Sequence, residues 1–164
     1  MDICYSSAMR VLVISDTHGD VNRALTAHSF SEPVDAIIHL GDGCADADLL
    51  CEALDVPVIN VAGNCDMDAH APRELVWECE GKRILLTHGD AYQVKSGLVR
   101  LRQRAEEIGV NAVLFGHTHQ AVLEKHSGLL LVNPGTLANY GHHRSYAVMN
   151  LLPEGITVQH FDIA

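Results

Sequence analysis

The chain has few aromatic residues, few basic residues and no long apolar run. Aromatics make up 5% of its 164 residues, whereas hydrophobic residues make up 48%. A core of Val, Leu and Ile is therefore expected, as in α/β domains. Lys and Arg total 11 against 21 Asp and Glu, a net charge of −10 with His neutral. Broad nucleic-acid surfaces need clustered Lys and Arg against the phosphates, so the acidic balance argues against an extended nucleic-acid footprint and weakens a nuclease of long DNA as a third reading. It does not exclude a small anionic substrate, because bound divalent cations add local positive charge. No stretch approaches the length of a membrane span, which argues against a membrane partner. Cys4, Cys44, Cys51, Cys65 and Cys79 contain no CxxC pair. An odd count without a framework points to reduced thiols and a cytoplasmic setting. The opening MDICYSSAMR lacks the apolar centre of a signal peptide. Residues 1–9 read as an N-terminal tail, with Met9 an alternative start, and 10–164 as a single domain. No internal repeat, low-complexity tract or linker divides it.

What the chain does have is five apolar runs, each ending on a residue able to bind a hard metal ion. VLVIS precedes Asp16-Thr17-His18, IIHLG precedes Asp42, and VINVAG precedes Asn64. ILLT precedes His88, and VLFG precedes His117-Thr118-His119. Short continuous apolar runs read as strands buried on both faces. Open α/β sheets bind ligands just past the C-terminal ends of such strands. Seven oxygen and nitrogen donors thus converge on one rim. One ion rarely needs seven side chains; two ions sharing a bridging carboxylate would, which points to a two-metal hydrolase.

The order of elements supports this placement. Strands are expected at 10–15, 36–40 and 58–62, with helices at 20–30 and 46–54 between them. This βαβαβ opening favours a parallel sheet with right-handed crossovers. The rhythm then changes to a hairpin, 74–79 and 83–87, turning at Gly81. A basic helix over 96–108 places Leu98, Leu101, Ala105 and Ile108 on one face. A buried strand at 111–115 follows, then a meander at 121–125, 129–133, 146–152 and 156–161. A parallel half joined to a more antiparallel half predicts two mixed sheets packed face to face, with helices outside.

Taken singly, the donors are ordinary. Asp-x-His caps loops, and Gly-Asp and Gly-Asn make turns. Their joint order is not ordinary. Asp16-x-His18, Gly41-Asp42, Gly63-Asn64-Cys65-Asp66, His88-Gly89 and Gly116-His117-Thr118-His119 together resemble the calcineurin-like metallophosphoesterase superfamily. The small size, Asn64-Cys65-Asp66 and Asn133-Pro134-Gly135-Thr136 resemble its compact bacterial and archaeal phosphodiesterases. The resemblance implies a four-layer α/β sandwich, two mixed β-sheets flanked by helices, with a dinuclear site. By motif, Asp16, His18 and His119 would hold the first ion and Asn64, His88 and His117 the second, with Asp42 as the bridge. The donor types suit divalent transition metals: manganese first, with iron, zinc, nickel or cobalt as alternatives. Hydroxide bridging the two ions would attack phosphorus in line.

One position departs from the pattern. Many superfamily members carry His after the Asn, assigned to leaving-group protonation; here it is Cys65. A free thiol with pKa of about 8.5 is a poorer acid than imidazolium. Cys65 is read as a small bystander, with the catalytic role as its alternative. Asp66 is expected to orient the loop, and His39 to be a hydrogen-bonded core residue. His28, His126 and His160 read as surface or packing residues, and Cys44 and Cys51 as buried helix-side thiols. His142, His143 and Arg144 form a loop in which Arg144 is a substrate-binding candidate. Arg100, Arg102 and Arg104 read as a solvated helix face. The chain is thus expected to be a metal-dependent phosphoesterase acting on small phosphoesters, phosphodiesters above all. A binding scaffold on the same fold is the alternative. The hairpin at 74–87 offers a surface for homo-oligomer formation.

Overall fold

The computed structural model describes residues 8–141 and 143–164. Residues 1–7 of the expected tail, and His142, lie outside the described residues.

Among the described residues, ten strands and three α-helices form four layers. The first sheet contains β1 (Met9–Ile14), β2 (Ala36–His39), β3 (Val58–Asn60), β9 (Ser145–Leu152) and β10 (Gly155–Asp162), in the order β10-β9-β1-β2-β3. The second contains β4 (Glu74–Cys79), β5 (Lys82–Thr87), β6 (Ala112–Leu114), β7 (Ala121–His126) and β8 (Leu129–Pro134), in the order β4-β5-β6-β8-β7. Helices α1 (Val21–Ser31) and α2 (Cys44–Ala53) cover the first sheet, and α3 (Val99–Ile108) covers the second.

The continuous apolar runs follow from this layering. Alternate side chains of a strand point to opposite faces. Val11 and Val13 face the space between the sheets, with Ile38, Ile84, Leu86, Leu114 and Met149. Leu12 and Ile14 face the other way, onto Ala24, Ala27 and Leu50 of the helices. Leu85, Val113 and Leu131 likewise meet Leu101 and Ala105 of α3. Both faces are dry, so neither can be polar.

The division into two halves does not follow chain order as expected. β1 pairs parallel with β2, but its other side takes β9 antiparallel, Val13 opposite Ala147. The last hairpin therefore returns to the first sheet. In the second sheet β5, β6 and β8 run parallel, with β4 and β7 antiparallel at the edges. The 74–87 hairpin is not a projecting arm, because Leu75, Trp77 and Cys79 pack against the core between the sheets.

Helix boundaries show local physics at work. Asp20 caps α1 by accepting the Arg23 N–H at 3.0 Å. α2 begins two residues earlier than expected, for a reason given below. α3 begins later, at Val99, because residues 90–96 form two 3₁₀ turns hinged at Gln93, φ 54°. It ends at Gly109 in the left-handed conformation. Cys44 is buried, but Cys51 is exposed, correcting its expected burial. The buried face of α2 runs through Cys44, Ala47 and Leu50, and Cys51 lies a further 100° or so round the helix. Arg104 is not merely solvated; its guanidinium bonds the Glu74 carboxylate at 2.6 and 3.1 Å.

Candidate metal centre

The five ligand loops leave the ends of β1, β2, β3, β5 and β6 and meet above them. Asp16, His18, Asp42, His117 and His119 all adopt positive φ, between 47° and 69°. Non-glycine residues rarely do so, and such strain collects where surrounding structure fixes it for function. Two glycines make the convergence sterically possible. A Cβ on Gly63 would lie 2.1 Å from Asp42 Oδ1, and one on Gly116 would lie 2.0 Å from Ser15 Oγ and 2.7 Å from Asp16 Oδ2. The carboxylate of one loop thus nests against the glycine that precedes a donor on the next.

Each carboxylate divides its oxygens between support and site. Asp16 Oδ2 accepts from Ser15 Oγ at 2.5 Å and from the His117 N–H at 3.1 Å. Asp16 Oδ1 is buried and has no hydrogen-bond partner, as is His18 Nε2. Oδ1 lies 3.1 Å from His119 Nε2 and 3.7 Å from His18 Nε2. Asp42 Oδ1 accepts the Cys65 N–H at 2.8 Å. Asp42 Oδ2 faces both groups, 3.7 Å from His18 Nε2 and 3.3 Å from His88 Nε2. His88 Nδ1 sits 2.8 Å from the Leu40 carbonyl, which can only accept. That bond fixes the proton on Nδ1 and turns Nε2 toward His117 Nδ1, 3.1 Å away.

Donor atoms of Asp16, His18 and His119 lie within 4.8 Å of one another, as do those of Asp42, His88 and His117. A third trio, His18, Asp42 and Cys65, meets the same condition. Asn64 is exposed on the adjoining loop, its amide nitrogen 3.6 Å from Cys65 Sγ. Buried lone-pair atoms left without partners and crowded this closely fit a bound cation. Charge agrees. Burial raises the Asp16 carboxyl, but the close approach of the His119 and His18 imidazoles outweighs it and holds it well below the usual carboxylate range. Asp42 is opposed by burial yet drawn down to about 2 by His88 and the Cys65 N–H. His18 is raised by the Asp16 carboxylate beside it, and His88 is raised by Asp42 and Asp16 against the effect of burial. His117 is lowered by burial and by His88 beside it. The cluster therefore attracts positive charge.

Supporting contacts lie behind the donors. Asp66 accepts four backbone N–H groups, from Asp42 at 2.7 Å, Gly63 at 2.8 Å, and Gly43 and Cys44 at 3.0 Å each. Burial pushes its carboxyl up, but these bonds bring it below the ordinary value. The amides of Gly43 and Cys44 open α2, so the helix is capped from 22 residues away, which is why it starts early. His39 Nδ1 accepts the Gly41 N–H at 3.2 Å. Nε2 then carries the proton, toward Thr17 Oγ1 at 2.9 Å, and Thr17 donates to Asp46. His39 is the expected hydrogen-bonded core residue, and this buried chain ties the Asp16 loop to the Asp42 loop.

Sequence reasoning missed Ser15, the Thr17–Asp46 contact and Tyr140, whose ring centroid lies 5.5 Å from that of His18 and 6.1 Å from that of His119. Arg144 commits Nε to the Ala138 carbonyl at 2.9 Å and Nη2 to the Asn139 carbonyl at 2.8 Å. His143 pairs with Asp162 at 2.9 Å, and His160 with the Asn133 carbonyl at 2.7 Å. His28 is buried, while His126 is exposed. Beyond Cys65, an open cleft of about 640 Å³ is lined by Asn60, Asp66, Met67 and His70 among others. Burial, then Asp42, pushes the Cys65 thiol up, so it holds its proton more tightly than a free thiol.

Over residues 9–153 the sequence matches the calcineurin-like phosphoesterase superfamily domain. It is 36% identical over 159 residues to the probable metallophosphoesterase YsnB of Bacillus subtilis, covering 95% of this chain and 92% of YsnB. It is 26% identical over 155 residues to phosphodiesterase MJ0936 of Methanocaldococcus jannaschii, covering 80% of this chain and 86% of that one. Among solved structures, Vps29 of Entamoeba histolytica complexed with zinc has a TM-score of 0.73 at 20% identity, covering 94% and 99% of the two chains, a likeness of fold.

Proposed function

The chain belongs to the calcineurin-like phosphoesterase superfamily, and from that premise we propose that it hydrolyses small phosphoesters, phosphodiesters above all, with two divalent transition-metal ions. Asp16, His18 and His119 would hold one ion and Asn64, His88 and His117 the other, with Asp42 shared between them. Manganese is the first choice, with iron, zinc, nickel or cobalt as alternatives. The observation that carries this reading is Asp42 Oδ2, placed 3.7 Å from His18 Nε2 and 3.3 Å from His88 Nε2, one imidazole from each group. When bound, such a pair supplies Lewis acidity at phosphoryl oxygens and a water of lowered pKa.

The protein's own groups do the rest. Asp42 contributes negative charge to both halves and is aimed by the Cys65 N–H. The Leu40 carbonyl keeps the His88 lone pair on the site. Cys65 stands at the family's proton-donor position, and its raised pKa supports reading it as a bystander. Arg144 remains the candidate for the substrate phosphate, with its Nε and Nη2 already bonded to the Ala138 and Asn139 carbonyls. The unpaired Cys44, Cys51, Cys65 and Cys79 suit a cytoplasmic setting. A binding scaffold is the weaker reading, because all seven donor positions are filled with competent residues.

The test is to strip the protein with chelator and titrate Mn, Fe, Zn, Ni, Co and Mg separately against phosphodiesters and phosphomonoesters. Activity should return as the second equivalent binds. Undiminished turnover in stripped protein, or saturation at one ion, would overturn the two-ion reading.

A further inference from the structure

We propose that Tyr140 contacts substrate and favours phosphoesters whose substituent is a flat aromatic ring, a nucleobase or an aryl group. The inference rests on the phosphoester reading above and names the substrate class.

The loop between β8 and β9 is fixed to the Asp16 loop at several points. Thr136 Oγ1 donates to the Asp16 carbonyl at 2.9 Å and accepts the Ala138 N–H at 3.1 Å. The Leu137 N–H reaches the Ser15 carbonyl at 3.3 Å, and Arg23 Nη1 reaches the Leu137 carbonyl at 3.0 Å. Arg144 then braces the next two carbonyls, Ala138 and Asn139. The residue that follows this pinned segment is Tyr140. Its side chain belongs to none of the three apolar clusters, and it is 54% exposed. Burial therefore does not explain its position.

Its surroundings do. The ring stands beside His18 and His119, tilted 51° and 38° to them, so neither imidazole covers its face by flat stacking. Those two imidazoles belong to the Asp16 trio, where the phosphoryl group would bind. A substituent leaving that phosphorus on the His18 side passes the Tyr140 ring. An apolar, polarisable face at that distance from an anion site rewards a flat ring, which stacks, over a methyl group, which does not. A pinned loop also means that little order is lost on binding.

The experiment measures binding to metal-loaded protein by calorimetry, with phenyl phosphate and methyl phosphate as probes, and hydrolysis of bis(4-nitrophenyl) phosphate in parallel. Wild type should bind phenyl phosphate roughly tenfold more tightly than methyl phosphate, the scale of one aromatic stacking contact. Tyr140→Ala should abolish the preference by weakening phenyl phosphate alone, raising KM for the diester more than it lowers kcat. Tyr140→Phe should keep the preference, which separates the ring from the hydroxyl. Metal content is measured for every variant; if Tyr140→Ala loses metal, Tyr140→Leu, which keeps bulk without the ring, gives the deciding comparison. A preference that survives loss of the ring, or its absence in wild type, overturns the proposal. Binding of both phosphates with no ester hydrolysed would instead overturn the enzymatic reading and leave the aromatic contact standing.

Discussion

The carboxylate of Asp66 receives the backbone N–H of Asp42 at 2.7 Å. The same carboxylate receives the N–H of Gly63 and the two amides that open α2. One side chain thus joins the second ligand loop, the third ligand loop and a helix. Asp66→Asn leaves one acceptor oxygen for four donors. We expect metal affinity to fall about 10–100-fold, as for residues that orient ligands. Amide exchange at Gly43 and Cys44 should quicken as the helix frays. Unchanged protection at both amides would show that the helix does not depend on this cap.

Asp42→Asn should be more damaging than Asn64→Ala. Asp42 would offer charge to both donor groups, whereas Asn64 would offer one neutral oxygen to one. The loss for Asp42→Asn should exceed the roughly 10–100-fold typical of orienting residues. Metal analysis and kcat/KM on both variants check this. Near-normal turnover in Asp42→Asn with two ions retained would remove Asp42 from the role of bridge.

The loops that carry the two trios were legible in the sequence because each opens locally, on a polar residue ending an apolar run. The central strands were legible for the same reason. What escaped detection depends on distant partners. Nothing near Gly43 signals that Asp66 will cap α2. Nothing in 145–162 says that β9 pairs with β1 rather than β8, since alternation in a strand specifies a face and not a neighbour. Tyr140 lies in a loop without periodicity, and its direction follows from distant bonds, those of Thr136 and Leu137 to the Asp16 loop and those made by Arg144 and Arg23.

Gly116→Ala should disturb one group of donors before the other. The added methyl meets Ser15 Oγ and Asp16 Oδ2, at 2.0 and 2.7 Å. Relieving that clash should cost about 1–3 kcal/mol in stability, the range for overpacking. The displaced carboxylate belongs to the Asp16 trio, so one metal equivalent should be lost preferentially. Thermal unfolding and metal stoichiometry test the two parts; full occupancy at both sites would contradict the second.

Leaving-group dependence should reveal the missing imidazole. With a thiol at position 65, esters of acidic alcohols should react well and esters of simple alkyl alcohols poorly. Cys65→His should help the poor leaving groups most, and Cys65→Ser should change little. The readout is log kcat/KM against leaving-group pKa for the three proteins. A flat plot in wild type, or a large loss in Cys65→Ser at constant metal content, would mean that Cys65 has a catalytic task.

Acid sensitivity should include a contribution from Glu74. Burial opposes its ionisation, but bonds from Arg104 and Tyr92 outweigh this and lower its pKa. The folded value lies below the unfolded one, so the stabilisation is present above the unfolded pKa and lost as pH falls through the folded one. Glu74→Gln should therefore lower stability at pH 7 and narrow its gap to wild type in strong acid. Denaturation midpoints across that range decide it; parallel pH curves for the two proteins would rule the contribution out.

The place of β1 also constrains how the protein is made. β1 leaves the ribosome well before one of its two neighbours, β9, which lies about 130 residues further along the chain. Until β9 emerges, the central strand of the first sheet has an open edge with no intended partner. Contacts of such long sequence separation close slowly, and an unpaired strand edge invites pairing between chains. The nascent protein is thus most exposed to aggregation just before β9 emerges. Because the His117 and His119 loop follows the other four candidate loops in the chain, the donor groups cannot come together before β6 has emerged.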